Sequence, residues 1–79
     1  MSETFVGVDI AKAEFVVACR PAGVGWTAAN DLAGITATVA RLRMMTPALI
    51  VAEATGGHER AFVAELATAG LPAVVVNPR

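Results

Sequence analysis

The stretch that most constrains this chain is the apolar run Val6-Gly7-Val8, which meets a carboxylate at Asp9 and passes into Ile10-Ala11-Lys12. A buried strand has no use for an ionised Asp in its middle, because burying an unpaired charge costs several kcal/mol. At the C-terminal end of a strand the same group can meet water, a metal or a substrate. Open α/β sheets carry their chemistry at that edge. Asp9 is therefore the first candidate functional residue, and the fold must decide what else comes to it.

Residues 4–10 read as a first strand and 11–13 as a turn. Residues 14–20 read as a second strand, antiparallel to the first. Pro21, Gly23 and Gly25 mark another turn, and residues 26–30 form a short third strand. Asn30 or Asp31 can cap a helix in which Leu32, Ile35, Val39, Leu42 and Met45 recur at helical spacing. That helix ends before Pro47, and Arg41 and Arg43 fall off its stripe as a solvated basic pair. Residues 48–53 give a fourth strand, again an apolar run ending on a carboxylate, Glu53. Residues 54–57 are a loop into a second helix over 58–69, whose buried side is Phe62, Val63 and Leu66. Gly70 ends it, Pro72 follows, and residues 73–76 form a fifth strand.

A three-stranded meander followed by helix, strand, helix, strand has few compact solutions. Right-handed crossovers with the first strand central give a mixed five-stranded α/β sheet of order 3-2-1-4-5. Both helices then lie on one face, and the other face is bare. A covering element, a final helix after the fifth strand, is expected to be missing, so the 79 residues read as the front part of a larger domain. In this order the first and fourth strands are neighbours, about 4.8 Å apart. Side chains alternate faces, so Asp9 and Glu53 can converge at one rim. Adjacent carboxylates repel unless a proton or cation sits between them, and Mg²⁺ takes carboxylate oxygens plus waters. The bland alternatives remain open: Asp9 as a turn cap and Glu53 as an acceptor of loop N–H groups. Thr55-Gly56-Gly57 leads into a helix N-terminus, where free N–H groups favour anions. A phosphate could dock there, or the segment is an ordinary strand-to-helix turn. Lys12 either meets a phosphate or pairs with Glu14.

A net charge of −1 argues against gripping nucleic acid by charge alone. The single Cys19 cannot form an internal disulfide and reads as a reduced core residue. No apolar run reaches the roughly 18 residues of a membrane helix, and the N-terminus lacks a signal pattern. The expectation is a soluble, cytoplasmic protein with no membrane partner.

Three segments together resemble a known family: Gly7-Val8-Asp9-Ile10-Ala11-Lys12, Glu53-Ala54-Thr55-Gly56-Gly57, and Val75-Val76-Asn77-Pro78-Arg79. In this order and approximate spacing they are similar to the N-terminal domain of the DEDD-type insertion-sequence transposases (the IS-one-ten family, with the pilin-gene invertases). The resemblance runs over essentially the whole chain. It implies a RuvC-like, ribonuclease-H-like fold, and a DNA recombinase that binds Mg²⁺ through four acidic residues for strand cleavage and transfer. The first Asp and the Glu match Asp9 and Glu53. The other two acids, and a C-terminal domain with a strand-exchange serine, have no counterpart here. The resemblance also implies a guide RNA as partner. His58 departs from the family's usual Tyr.

The expectation is thus a transposase catalytic domain cut after its fifth strand, inactive alone and weak in metal binding. It is also expected to self-associate through its uncovered sheet face or an edge strand. Two rivals remain. Actin-like ATPases and sugar kinases also begin with a strand ending in Asp, but their hairpin turn is Gly-rich and Ala11-Lys12-Ala13 is not. A non-catalytic interaction module would use the bare face for docking. Of the remaining polar residues, Glu59 reads as a first-turn helix Glu favoured by the dipole. Asp31 reads as a helix cap, Glu65 as a solvated face, His58 as a solvated helix-start residue, and Trp26 as sheet-edge packing.

Overall fold

A computed structural model describes residues 3–54 and 56–77. The elements follow the expected order: β1 (Phe5–Ile10), β2 (Glu14–Arg20), β3 (Gly25–Ala29), α1 (Leu32–Met45), β4 (Leu49–Ala54), α2 (Arg60–Thr68) and β5 (Ala73–Val76). They form one sheet of order β3-β2-β1-β4-β5. β1 pairs antiparallel with β2 and parallel with β4, and β4 pairs parallel with β5. The mixed α/β architecture and strand order expected from the sequence are those observed.

Strict alternation splits the sheet into two unlike faces. Val6, Val8 and Ile10 of β1, Phe15, Val17 and Cys19 of β2, and Ile50, Ala52 and Ala54 of β4 are all buried. They join Ile35, Val39 and Leu42 of α1 and Phe62 and Leu66 of α2 in a single core. Both helices therefore cover the same face. The Phe15 and Phe62 rings meet edge-on, centroids 4.8 Å apart. Trp26 is half-buried on β3 and meets two polar partners on α1. Its indole N–H donates to the Thr38 hydroxyl at 3.3 Å, and the Arg41 guanidinium lies 3.8 Å from the ring centroid. Arg41 is thus a cation stacked on an aromatic face rather than half of a merely solvated pair.

The helix boundaries rest on local chemistry. The Asp31 carboxylate accepts from the Gly34 N–H at 2.8 Å and caps α1. Gly34 is required, because a Cβ there would run into the Ala29 carbonyl. At the other end of α2, Gly70 takes φ +73° and the Leu71 N–H donates to the Leu66 carbonyl at 3.0 Å, a glycine-ended helix terminus.

Several expectations need correction. Leu32 lies on the periodic stripe but is 74% exposed; a helix end has no further neighbour to complete its burial. Thr38 is buried in that helix instead, its hydroxyl occupied by Trp26. α2 starts at Arg60, two residues later than the pattern suggested, because Gly56 and Gly57 both take positive φ and the turn runs through Glu59. His58 and Glu59 therefore precede the helix. Glu59 occupies the cap position without a side-chain capping bond, so it is not a first-turn acid. Glu65 is half-buried and lines, with Arg43, the groove between the helices. β3 begins and ends one residue early, and β4 runs from Leu49 to Ala54 rather than over 48–53.

Candidate metal centre

The second face of the sheet has no cover among the described residues, and it carries the acids. Asp9 is the penultimate residue of β1 and Glu53 the penultimate residue of β4. Their neighbours Val8, Ile10, Ala52 and Ala54 are buried under the helices, so alternation turns both carboxylates to the bare side, where both residues are exposed. In the parallel register Asp9 is directly opposite Glu53, on strands about 4.8 Å apart. The convergence that the sequence could only permit is fixed by this pairing.

The bare face is organised in rows across the strands. One row runs Thr27, Val16, Asp9, Glu53, Val76. The next runs Gly25, Ala18, Gly7, Val51, Val74. The small residues of that second row leave a hollow beside the acids, and a Cβ on Gly7 would touch nothing within 4 Å. An open depression of about 490 Å³ lies here, bounded by Asp9 and Glu53 at one end and by Phe5 and Arg20 at the other.

The donor set suits a hard divalent cation in part. Two carboxylates side by side, facing solvent, offer oxygens and leave room for waters, as Mg²⁺ requires. Among the described residues, no third His, Cys, Asp or Glu joins them in a group that could hold a metal. Among the described residues the pair is thus two candidate oxygen ligands and no more.

The other candidates surround this rim unevenly. Lys12 is exposed in the turn between β1 and β2, which is closed by the Ala11 N–H donating to the Glu14 carbonyl at 2.9 Å. Gly56 and Gly57 form the left-handed turn that leads from β4 to α2, at φ +70° and +77°. Thr55 and the Pro78-Arg79 end of the third motif lie outside the described residues. Asp31 and Glu65 belong to helices on the covered side. Cys19 is buried at 1% exposure. Burial pushes its thiol up from the ordinary value, against a smaller lowering influence from Arg41, which suits the reduced core residue expected.

Sequence reasoning missed Asn30 at this rim and offered it only as a helix cap. Its side-chain amide donates to the Ala11 carbonyl at 2.9 Å and to the His58 carbonyl at 3.1 Å. No local signal could have found it, since its partners are 19 and 28 residues away. Arg60 was also missed. Its guanidinium lies over Gly57, with Nε 3.4 Å from where a Cβ would stand.

No protein-family model matches the chain, and no curated protein matches it in sequence. The fold is similar to that of RuvC from Thermus thermophilus in complex with a Holliday-junction substrate, with TM-score 0.70, 13% identity, and coverage of 98% of this chain and 66% of that one. A second Thermus thermophilus RuvC structure gives TM-score 0.64 at 15% identity, over 95% of this chain and 62% of that one. The ethanolamine utilization protein EutJ from Carboxydothermus hydrogenoformans gives TM-score 0.51 at 15% identity, over 98% of this chain and 37% of that one. The chain thus has a RuvC-like, ribonuclease-H-like fold and spans two thirds or less of the length of these chains. No helix among the described residues is long and apolar enough to cross a membrane.

Proposed function

We propose that residues 1–79 are the N-terminal part of a RuvC-like catalytic domain of a DNA recombinase, of the insertion-sequence transposase kind, whose Asp9 and Glu53 hold Mg²⁺. The observation that carries this reading is the pairing of Asp9 with Glu53 at the rim of the uncovered face. A divalent cation bound there supplies charge stabilisation to the attacking and leaving oxygens of a phosphodiester. The chain's own contribution is positional. The ladder between β1 and β4 puts Asp9 opposite Glu53 in register, which supports a shared cation. Lys12 after β1 and the Gly56-Gly57 turn between β4 and α2 offer a cation and N–H groups to DNA phosphates in this reading. In this reading the remaining acids come from outside these residues and reach the centre from the bare side. The 79 residues alone are then inactive and bind metal weakly. DNA and a guide RNA are partners of the intact protein, and the bare face drives self-association when nothing else covers it.

The test is cleavage and strand transfer by the full-length protein that carries this chain, with Mg²⁺ and a DNA substrate. Asp9→Asn and Glu53→Gln each lower the rate by about a hundredfold or more, the scale of losing a charge-stabilising group, while the far-ultraviolet spectrum is unchanged. Undiminished recombination by both variants would instead favour the interaction module. ATP binding without any DNA cleavage would favour the ATPase or sugar-kinase alternative.

A further inference from the structure

Asp9 and Glu53 each sit one residue before the end of a strand. The ladder fixes their backbone, but just beyond them it stops. Two loops leave the sheet there: Ala11-Lys12-Ala13 after β1, and the glycine turn through Glu59 after β4. A shared cation is intolerant of drift at this point, since Mg²⁺ demands near-octahedral oxygens at about 2.0–2.1 Å. What joins the two loops is a side chain from neither of their strands. Asn30 follows β3, and its backbone N–H donates to the Ala13 carbonyl at 2.9 Å, which seats it against the first loop. Its amide nitrogen then spends both hydrogens across the gap, one on the Ala11 carbonyl and one on the His58 carbonyl. Asp31, the next residue, caps α1, so the Asn30 backbone is held from both sides.

We propose that Asn30 is a positioning residue: by latching the loop after β1 to the loop after β4, it holds the two carboxylate-bearing strand ends at the separation a shared divalent cation needs. The proposal rests on the metal reading above. An amide is the fitting group, because two carbonyl acceptors need two N–H donors from one atom. A carboxylate of the same size would face both carbonyls with oxygens and push the loops apart.

The experiment is a titration of the 79-residue chain, ¹⁵N-labelled, with Mn²⁺ alone as the probe, read by paramagnetic broadening of amide signals. Asn30→Ala and Asn30→Asp are compared with Thr38→Val, which removes the Trp26 hydrogen bond far from the rim and changes no charge. In the unaltered chain, broadening centres on Asp9 and Glu53. Both Asn30 variants weaken Mn²⁺ binding about tenfold, the lower end of what disturbed positioning costs a metal site, whereas Thr38→Val leaves it unchanged. Weaker binding by Asn30→Asp is the sharper result, because an added negative charge by itself attracts the cation. Binding within about twofold of the unaltered chain in either variant, well short of that range, overturns the latch and leaves the metal reading standing. Absence of localised broadening in the unaltered chain overturns the metal reading and the latch with it. If the variants do not fold, amide exchange in the unaltered chain decides: Mn²⁺ slows exchange at Ala11 and Arg60 together if the latch couples the loops, and independent responses overturn it.

Discussion

Neighbouring residues of β1 do opposite work. Val6, Val8 and Ile10 lie under two helices, while Phe5, Gly7 and Asp9 look out on the other side. β2 and β4 divide in the same way. The covered face is continuous and aliphatic, with the Phe15–Phe62 pair within it. The open face mixes Phe5, Val16 and Val51 with glycine, alanine, Arg20 and the two acids. The contrast teaches that the buried core and the paired carboxylates are kept on separate sides of one sheet. Removing a group from the first side costs folding energy, whereas removing an exposed one from the second costs little.

The largest expected effect tests the covered side. Phe62 is fully buried, and Phe62→Ala costs about 3–5 kcal/mol, enough to leave a domain this small largely unfolded. Urea titration followed by circular dichroism measures it, and a loss below about 1 kcal/mol would mean that the core is not where stability resides.

A second prediction uses the buried thiol. Because burial raises the Cys19 pKa in the folded chain, the folded state holds the proton more tightly than the unfolded one. That contribution is fully present below about pH 8.5, the unfolded thiol value, and is lost as pH rises toward the folded value. As pH rises through the thiol range the unaltered chain therefore loses more stability than Cys19→Ala does. Parallel pH profiles for the two chains would contradict it.

The smallest stability effect belongs to the open side. Phe5 and Val16 are 48% and 47% exposed, so Phe5→Ser and Val16→Thr shift stability by no more than about 0.5 kcal/mol. Both lower self-association, read by light scattering at high concentration. A large stability loss would show that this face is packed in the folded chain and would erase the contrast.

The helical and strand segments were legible because their signals are local. Alternation, Pro and Gly punctuation and the apolar run before each carboxylate placed every element to within a residue or two, and handedness then gave the strand order. What misled was also local: Leu32 obeys the helical period yet is exposed. His58 and Glu59 read as helix, but the two positive-φ glycines delay its start. At the site, Asp9 and Glu53 could be chosen from strand-end position, whereas Asn30 could not, because its role exists only through partners distant in the chain.

By itself the sequence determined which residues alternate, where strands stop and that two of them stop on acids, since these follow from short-range sterics and the penalty on buried charge. Only the tertiary structure decided that Asp9 and Glu53 stand in one register on one face, and that a single amide ties their loops together. Parallel pairing of strands separated by a helix is a long-range choice. A slip of one residue would have turned one acid into the core, and what forbids it is the burial of Val8, Ile10, Ala52 and Ala54 beneath the helices.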